Sequence, residues 1–374
     1  MGAARVPIAI AHDYLTQRGG AEKVVLAMAR AFPGAPIYTT LYNAAGTFPE
    51  FQDLDVRPSS LNRIAALRRD HRKALPFLAS ASSRIRVDAD VMLASSSGWA
   101  HGFGASGAKV VYCHNPARWL YQADEYLGES ASALARAALN ALSPRLRRWD
   151  RHAARSADRY LANSTIVRDR IAQTYGIEAQ VLPAPHTIGT GEPVESIDAL
   201  VADGFDSRLL LVVARLLPYK NVDRIVEAVR ELPDQRLVVV GAGPERARIA
   251  SLLPSNARIV SNISDGQLRW LYSRSVLLIA ASREDYGLTP IEASSFGVPT
   301  VALRWGGFLD TVEEGQTGLF FDELSPEAIA ERIREALVRE WDHGLIRASA
   351  ERFSERRFAE QLRSVVAEVA ARAA

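Results

Sequence analysis

Short apolar runs alternate with stretches of helical periodicity along most of the chain. Runs rich in valine, isoleucine and leucine are typical of strands that are buried on both faces of a parallel sheet. In the first half of the chain they predict strands at 5–11, 35–41, 56–58, 90–96, 109–114, 160–164 and 179–183. In the second half they predict strands at 209–215, 236–240, 258–260, 275–281, 300–303 and 318–321.

Apolar residues with helical spacing fall between these strands and predict amphipathic helices. The predicted helices cover residues 22–32, 165–176, 221–232, 244–253, 266–273, 290–296, 326–339 and 358–371. Strands that alternate with helices favour an α/β fold with doubly wound parallel sheets. The stretch 184–206 has only weak periodicity, and a length of 374 residues favours two domains. We therefore expect domains at 1–185 and 207–355, joined by a linker at 186–206.

The composition is that of a globular protein, with 48% hydrophobic and 24% charged residues. The net charge of +2 gives no reason to expect a nucleic-acid partner. The one cysteine, Cys113, excludes an internal disulfide framework, and inside a predicted strand it is expected to be a small buried hydrophobe. No run reaches the roughly 18 apolar residues that span a bilayer, and the apolar run at 6–11 is too short for a signal peptide. We expect a cytoplasmic protein.

Cationic side chains are concentrated between residues 57 and 86, where eight arginines and lysines accompany one acidic residue, Asp70. Apolar residues are interleaved with them, which is consistent with amphipathic helix. Because cationic residues beside apolar ones attract anionic lipid, we expect peripheral contact with the inner face of the cell membrane. The candidate membrane-facing residues are Arg68, Arg69, Arg72 and Lys73. A second basic stretch, 136–159, is predicted to be a solvated helix face.

Two predicted strands lead into a helix through a loop that contains glycine. The first strand is followed by Gly19 and Gly20, and the strand 275–281 is followed by Gly287. Glycines let the backbone approach a ligand, and the N–H groups at a helix start attract an anion. After Gly287 we predict a helix with Thr289 as N-cap and Pro290 at its first position.

Two glutamates frame the loop around Gly287. Glu284 follows the strand, and Glu292 lies eight positions later on the first turn of the predicted helix. Carboxylates are poor ligands for phosphate, but they are good acceptors for the hydroxyl groups of a sugar or a ribose. As isolated features they could equally be solvated charges at the ends of ordinary elements.

The spacing of Glu284 and Glu292, with Gly287 between them, resembles the donor-binding motif of the retaining glycosyltransferases of family 4. Further segments resemble the same family: the Gly19–Gly20 loop, the pair Arg215 and Lys220 at the end of a strand, and the turn Gly241-Ala-Gly243-Pro. The run Tyr-Cys-His-Asn-Pro-Ala-Arg-Trp at 112–119 is similar to a pattern of bacterial α-mannosyltransferases that use GDP-mannose.

The resemblance implies the GT-B fold, with two doubly wound domains facing across a cleft and a C-terminal helix, 356–374, that joins the first domain. It implies that His114 and Glu284 orient the donor sugar, that Arg215 and Lys220 meet the diphosphate, and that Glu292 holds the ribose. Residues implied to line the nucleotide or its diphosphate are Gly19, Gly20, Gly243, Gly287, Leu288 and Thr289. His12 and His101 are further candidate histidines.

The implied activity is transfer of a sugar, with mannose from GDP-mannose as the first choice, onto a glycan or lipid-linked acceptor in cell-surface or exopolysaccharide synthesis. UDP-glucose and UDP-N-acetylglucosamine stay open as donors. A nucleotide-sugar epimerase of the same fold and a non-catalytic nucleotide-sugar binder are the rival hypotheses. We expect no cofactor and no required metal, because both Asp-x-Asp pairs, 53–55 and 88–90, are predicted away from the carboxyl ends of the strands.

Overall fold

The computed structural model describes residues 7–122, 133–186 and 188–373, apart from the side chains of Arg72 and 133–140. The chain divides into two compact units, Met1–Pro185 with Glu355–Ala374, and His186–Ser354. Each unit is built around a parallel β-sheet. No helix within the described ranges is long and apolar enough to cross a membrane.

The first unit contains a parallel sheet of seven described strands in the order β3-β2-β1-β5-β7-β8-β9. Two short strands, β4 and β6, pair separately. The strands are β1 (Ile8–His12), β2 (Ile37–Thr39), β3 (Val56–Pro58), β4 (Arg86–Val87), β5 (Val91–Ser96), β6 (Gly104–Ala105), β7 (Ala108–Cys113), β8 (Arg159–Ala162) and β9 (Gln180–Val181).

Helices of the first unit connect these strands and cover the sheet. They are α1 (Gly20–Ala31), α2 (Ala65–Arg69), α3 (Leu75–Arg84), α4 (Arg118–Tyr121), α5 (Ala133–Ala154) and α6 (Thr165–Tyr175). Short 3₁₀ turns lie at Pro49–Asp53, Ser60–Arg63, His71–Ala74 and Ala100–Gly102.

The C-terminal helix, Glu355–Ala373, packs on the first unit although it is the last element of the chain. The ring of Phe358 meets that of Tyr112 on β7 edge to face, with their centroids 5.7 Å apart. At its start, Glu355 accepts a hydrogen bond of 2.7 Å from Arg30 of α1. Its apolar face buries Leu362, Val365 and Val366, so the helix completes the core of this unit.

The second unit contains a parallel sheet of six described strands in the order β12-β11-β10-β13-β14-β15. The strands are β10 (Leu209–Val213), β11 (Arg236–Val240), β12 (Ala257–Val260), β13 (Ser275–Ala280), β14 (Thr300–Leu303) and β15 (Gly318–Phe321). The helices are α7 (Asp198–Ala202), α8 (Val222–Val229), α9 (Arg246–Leu252), α10 (Asp265–Arg274), α11 (Leu288–Ser295), α12 (Phe308–Thr311), α13 (Pro326–Val338) and α14 (His343–Ala350), with 3₁₀ turns at Pro218–Lys220 and Glu351–Phe353.

Both faces of the second sheet are buried, which explains its continuous apolar runs. Leu210 and Leu237 point into one core cluster together with the apolar faces of α8 and α13. Their neighbours Leu209 and Val238 point into another cluster on the opposite face, with Trp270 of α10. Because side chains alternate across a strand, a strand buried on both sides needs apolar residues at every position.

The order of the strands in each sheet reverses next to its first strand. In the first unit this happens between β1 and β5, and in the second between β10 and β13. The residues that follow the carboxyl ends of such neighbouring strands diverge and leave a crevice, where open α/β sheets bind their ligands. The sheet topology therefore singles out the residues after β1 and β5 and those after β10 and β13, and the residues after β7 lie next to those after β5.

Some sequence predictions need correction. The stretch 186–206 is more than a linker, because it contains α7 and buries Ile188 and Leu200 in the core of the second unit. The basic stretch 57–86 is broken into turns, α2 and α3 rather than continuous helix, and α14 was not predicted. Cys113 is buried, as expected.

Candidate functional site

An ion pair joins the ends of the two central strands of the second sheet. Lys220 closes the turn after β10, Glu284 follows β13, and the Lys220 ammonium contacts Glu284 Oε1. Lys220 is only 8% exposed and Glu284 is 28% exposed. Ser282 donates to the same carboxylate oxygen at 3.2 Å. A cation and an anion predicted from separate parts of the sequence are thus neighbours.

Asn221 connects the loop after β10 to the loop after β13, the two loops that carry this ion pair. Its backbone is left-handed, with φ of 51°, a conformation that asparagine tolerates better than most residues. Its side-chain amide donates to the carbonyl of Ala281, at the end of β13, over 2.9 Å. The sequence analysis did not select Asn221, whose only signal was its place directly after Lys220.

Arg215, the other predicted diphosphate ligand, is an exposed residue two positions beyond β10. Its guanidinium lies 3.5 Å from the hydroxyl of Tyr219, and the Lys220 ammonium lies 4.9 Å from the centroid of the Tyr219 ring. Tyr219 therefore contacts both cations. An aromatic face next to an ammonium group stabilises the positive charge.

The helix after Gly287 begins earlier than predicted. Gly287 itself is the N-cap, with φ of 82°, and α11 starts at Leu288. Thr289 and Pro290 therefore lie inside the first turn, and the prediction of Thr289 as N-cap was wrong. A side chain at position 287 would place its Cβ 2.7 Å from Phe308, so glycine is required both by φ and by space. The first N–H groups of α11, among them those of Leu288 and Thr289, have no acceptor within the helix.

Glu292 is buried and held by a partner that the sequence did not reveal. The hydroxyl of Tyr272, on α10, donates to Glu292 Oε2 at 2.8 Å. Burial, together with the charge of Glu292, raises the pKa of Tyr272 well above its usual value, so the hydroxyl keeps its proton. No motif marks Tyr272, because its place beside Glu292 depends on how α10 packs against α11.

Two glycine turns are packed too tightly for any other residue. A Cβ on Gly243 would lie 2.3 Å from the carbonyl oxygen of Leu216, which follows β10, and φ at Gly243 is 156°. A Cβ on Gly307 would lie 2.4 Å from the backbone of Tyr286. The N–H of Gly307 donates to the carbonyl of Glu284 over 2.8 Å. The glycine pair at 306–307 therefore supports the backbone that carries Glu284.

In the first unit, polar side chains meet at the carboxyl ends of β1, β5 and β7. His114 Nε2 lies 2.8 Å from Ser95 Oγ. Ser95 Oγ lies 3.1 Å from Nδ1 of His12. Behind them, His12 Nε2 and Glu22 Oε1 of α1 are 4.0 Å apart. We call His12, Glu22, Ser95 and His114 the first-unit cluster.

The pKa values of the two histidines in the first-unit cluster are shifted in opposite directions. Burial, with a smaller contribution from the charge of His12, lowers the pKa of His114 to about 3. Burial also lowers the pKa of His12, but the carboxylates of Glu22 and Asp13 outweigh it and leave that pKa raised. His114 is therefore neutral at physiological pH, whereas His12 holds a positive charge more readily than a free histidine.

Asp13 and His101 have structural partners instead of facing the site. The buried carboxylate of Asp13 accepts backbone N–H groups of Ser97 at 2.7 Å and Ala100 at 2.6 Å, which fixes the loop after β5. His101 is 2% exposed, and its Nε2 lies 3.1 Å from the carboxylate of buried Asp150. Because His101 is enclosed within the first unit, its candidacy as a site residue is not supported.

The glycines before α1 have different positions. α1 begins at Gly20 rather than at residue 22, so Gly20 belongs to its first turn and Gly19 is the N-cap. The backbone of Gly19 is extended, with φ of −139°, and imposes no need for glycine. A Cβ there would, however, approach Glu22 Oε2 to 2.6 Å. Glycine at position 19 thus leaves room for the buried carboxylate of the first-unit cluster.

The candidate membrane-facing residues lie on and between α2 and α3. Arg69 is exposed, Arg68 donates to the carbonyl of Asn62 at 2.9 Å, and Lys73 is 3.7 Å from the carboxylate of Asp70. The predicted contribution of Arg72 lies outside the described side chains. Both Asp-x-Asp pairs directly precede the amino end of a strand, β3 or β5.

The two doubly wound parallel sheets, with polar side chains after their central strands, place the chain among the doubly wound α/β proteins. A model described as Glycosyltransferase Family 4 matches residues 18–185, and one described as Glycosyl transferases group 1 matches residues 203–357. The chain belongs to glycosyltransferase family 4.

The curated relatives that match are named as glycosyltransferases and are longer than the matched region. A GDP-mannose-dependent alpha-mannosyltransferase of Mycolicibacterium smegmatis is 32% identical over 46% of this chain and 47% of the relative. A D-inositol 3-phosphate glycosyltransferase of a Nocardioides species is 28% identical over 48% of this chain and 46% of the relative. The chain spans about half the length of the curated relatives it matches.

Solved structures establish the GT-B fold over nearly the whole chain. HepE of Anabaena, solved with UDP and glucose, matches with a TM-score of 0.69 and 16% identity over 97% of this chain and 100% of HepE. Sucrose-phosphate synthase of Thermosynechococcus elongatus matches with a TM-score of 0.70 and 20% identity over 98% of this chain and 100% of the synthase. At these identities the likeness concerns the fold.

We expect His114 to make the folded protein less stable in acid. Its pKa is 6.5 in the unfolded chain and about 3 when folded, so below about pH 6.5 the unfolded chain binds a proton that the native ring does not. Between about pH 7.5 and about pH 5 this should remove on the order of 1–2 kcal/mol of stability. Urea unfolding of the wild type and of His114→Gln at both pH values measures the difference. An equal loss of stability with acid in both proteins would contradict the lowered pKa.

We expect Gly307→Ala to lower the free energy of unfolding by at least about 2 kcal/mol, because the new Cβ overlaps the backbone of Tyr286. Urea unfolding measures the effect. Gly189→Ala is the matched control, since nothing lies within 4 Å of a Cβ at that position, and it should stay within about 0.5 kcal/mol of the wild type. Equal stability of the two variants would show that the turn at 306–307 accommodates the added methyl group with no loss in the free energy of unfolding.

Proposed function

We propose that this protein transfers a hexose from a nucleotide-sugar donor to a hydroxyl group of an acceptor, with retention of configuration. The observation that best supports the proposal is the contact between Lys220 and Glu284 beside the start of α11. It combines a cation suited to a diphosphate, a carboxylate suited to sugar hydroxyls, and helix N–H groups suited to an anion.

In the proposed reaction the second unit binds the donor. Lys220 and the exposed Arg215 neutralise the charge that builds up on the diphosphate as the sugar departs. The N–H groups at 287–289 add fixed positive dipoles at the start of α11. Glu284 accepts hydrogen bonds from hydroxyls of the sugar, and Glu292, oriented by Tyr272, accepts those of the ribose.

For the first unit we propose the roles that the family resemblance assigns: His114 contacts the donor sugar, and Gly19 and Gly20 approach the diphosphate. The bond between the anomeric carbon and the phosphate oxygen breaks, and a bond from that carbon to the acceptor oxygen forms on the same face. The departing phosphate oxygen takes the acceptor proton, so the protein supplies charge and position rather than a nucleophile. We expect the reaction to require no metal.

GDP-mannose is the donor that we propose first. It is supported by the run at 112–119 and by the name of the 32% identical relative. UDP-glucose and UDP-N-acetylglucosamine are the alternatives, and the complex of HepE with UDP and glucose keeps a uridine nucleotide in consideration. The acceptor that we propose is a glycan or a lipid-linked intermediate of cell-surface or exopolysaccharide synthesis.

The donor proposal is tested by melting the protein with a panel of nucleotide sugars. A donor at about one hundred times its dissociation constant adds about 2.7 kcal/mol, which raises the melting temperature by several degrees. We expect GDP-mannose to give this shift. Lys220→Ala and Glu284→Ala should abolish most of it and lower transfer by about a hundredfold or more, because each removes a charged partner of the donor.

Glu331→Ala, which removes an exposed carboxylate on α13, is the control for both measurements and should behave like the wild type. A shift with UDP-glucose alone would replace the proposed donor. Conversion of the donor without any acceptor would favour the epimerase hypothesis. Wild-type turnover in Lys220→Ala or Glu284→Ala would refute the proposed site.

We further propose that the basic surface around α2 and α3 contacts an anionic membrane. Two large apolar side chains are half exposed there, Ile64 at 51% and Phe77 at 54%. Phe77 also lines a surface pocket of about 380 Å³ together with three arginines, Arg57, Arg84 and Arg86. Exposed apolar side chains surrounded by cations are the combination by which a peripheral protein binds anionic lipid.

The membrane proposal predicts salt-sensitive binding to vesicles that contain phosphatidylglycerol and none to neutral phosphatidylcholine vesicles. The double variant Arg69→Glu, Lys73→Glu should reduce sedimentation with the anionic vesicles about tenfold or more, because each charge near the surface contributes about 1 kcal/mol. Arg155→Glu, an exposed change in the second basic stretch, is the matched control. Equal binding of the double variant and the control would exclude this surface.

A further inference from the structure

The first-unit cluster forms a chain of polar contacts that begins at His114 and ends in the interior. His12 and Ser95 are directly paired in the register of β1 and β5, so their side chains are adjacent. Ser95 is completely buried, and Glu22 and His12 are 1% and 2% exposed. Glu22 Oε2 has no hydrogen-bond partner among the residues that the structure describes. Such a buried polar chain needs each proton in a defined place.

The proton on His12 is fixed by a backbone carbonyl. His12 Nδ1 lies 3.1 Å from the carbonyl oxygen of Ser95, an atom that can only accept a hydrogen bond. Nδ1 must therefore carry a hydrogen. The same N–H also points to Ser95 Oγ, at 3.1 Å. On the other side of the ring, Nε2 faces the carboxylate of Glu22, which favours a second proton there.

The Ser95 hydroxyl can donate its hydrogen to only one of its two side-chain neighbours in the described chain. Within the described chain, its oxygen has two side-chain neighbours at hydrogen-bond distance, His12 Nδ1 and His114 Nε2. The first is a donor, so the hydroxyl must donate to the second. If His114 Nε2 carried its own hydrogen, the buried hydroxyl would be left without an acceptor, which folded proteins avoid.

We propose that Ser95 and His12, backed by Glu22, hold His114 as the neutral tautomer with its hydrogen on Nδ1, so that this N–H can donate to an oxygen of the donor sugar. Ser95, His12 and Glu22 are positioning residues, because they act through His114. The part that concerns the sugar rests on the proposed function; the tautomer does not. A neutral imidazole has one N–H, and the contact made by one nitrogen decides the tautomer at the other.

The electrostatics of the cluster agree with a neutral His114. The charged groups that act on His12 are Glu22 from α1 and Asp13 at the end of β1, and His12 in turn acts on His114. Burial and the positive charge of His12 both oppose a second proton on His114. At physiological pH the ring of His114 therefore holds one hydrogen, and the hydrogen bond with the Ser95 hydroxyl decides which nitrogen carries it.

Long-range ¹H–¹⁵N correlation spectra of the ¹⁵N-labelled full chain test the tautomer directly, since protonated and bare ring nitrogens resonate far apart. The ring of His114 is assigned as the signal lost in His114→Gln, among the seven histidines of the chain. We expect a protonated Nδ1 and a bare Nε2. In Ser95→Ala the hydrogen should move to Nε2, at least in part, whereas Ser95→Thr, which keeps the hydroxyl, should retain the wild-type pattern.

A protonated Nε2 in the wild type, or an unchanged tautomer in Ser95→Ala, would overturn the proposal. Ser95→Thr also guards against a folding defect, because threonine suits a strand and keeps the hydrogen bond. In transfer assays, Ser95→Ala should lower kcat about tenfold, the effect of one lost hydrogen bond, with a smaller change in KM for the nucleotide sugar.

The experiments distinguish a wrong assignment of the His114 tautomer from a wrong proposed function. A protein that transfers no sugar but shows the Nδ1–H form of His114 refutes the proposed function and leaves the tautomer established. A protein that transfers sugar at the wild-type rate in Ser95→Ala, although the tautomer has moved, refutes the positioning role of Ser95.

Discussion

The ion pair between Lys220 and Glu284 is the interaction on which the candidate site of the second unit depends. Taking the ammonium group of a lysine that is 8% exposed out of water costs several kcal/mol, and a carboxylate beside it offsets part of that cost. The partner comes from the neighbouring strand, since β10 and β13 are parallel and end at the same edge of the sheet. Asn221 and the turn at Gly307 hold the two loops at the distance that the pair requires.

The first unit uses the same topological position for different chemistry. Its central strands also end side by side, but the groups there are two histidines, a serine and a carboxylate in contact with one another. Asp13 shapes the loop behind them by accepting backbone N–H groups, a role for which a carboxylate in the interior is well suited. One unit therefore presents paired charges, while the other presents a buried hydrogen-bonded chain that ends in a neutral imidazole.

The sequence predicted the parts of the structure that are determined locally. Strands 56–58, 236–240, 300–303 and 318–321 have the predicted bounds, because burial on both faces demands an uninterrupted apolar run. Residues selected by motif, such as Lys220 and Glu284, each follow a predicted strand, and they lie together because β10 and β13 are parallel neighbours in the sheet. The membership of 186–206 in the second unit was missed, since its few apolar residues have no period and depend on tertiary packing.

Contacts between side chains of different helices and strands could not be predicted from the sequence. Tyr272 lies on α10, and its contact with Glu292 depends on how two helices pack against one sheet. Ser95 looked like one serine among several in the run 95–97, and only the register of β1 against β5 places it beside His12. α11 begins two residues before the predicted start because Gly287, which can adopt positive φ, is the N-cap instead of Thr289.

The ion pair between Lys220 and Glu284 also bears on which ligand can separate its two charges. A phosphate group alone would give Lys220 a new partner but leave the carboxylate of Glu284 with the hydroxyl of Ser282 and no cation. A sugar alone would give Glu284 new hydrogen-bond donors but take the carboxylate away from the buried ammonium group. A nucleotide sugar carries the anion and the hydroxyl donors in one molecule, so both charges can exchange partners in a single binding event. Under the proposed function, breaking the pair is least costly for a ligand that combines the two groups, which favours the intact nucleotide sugar over either of its fragments.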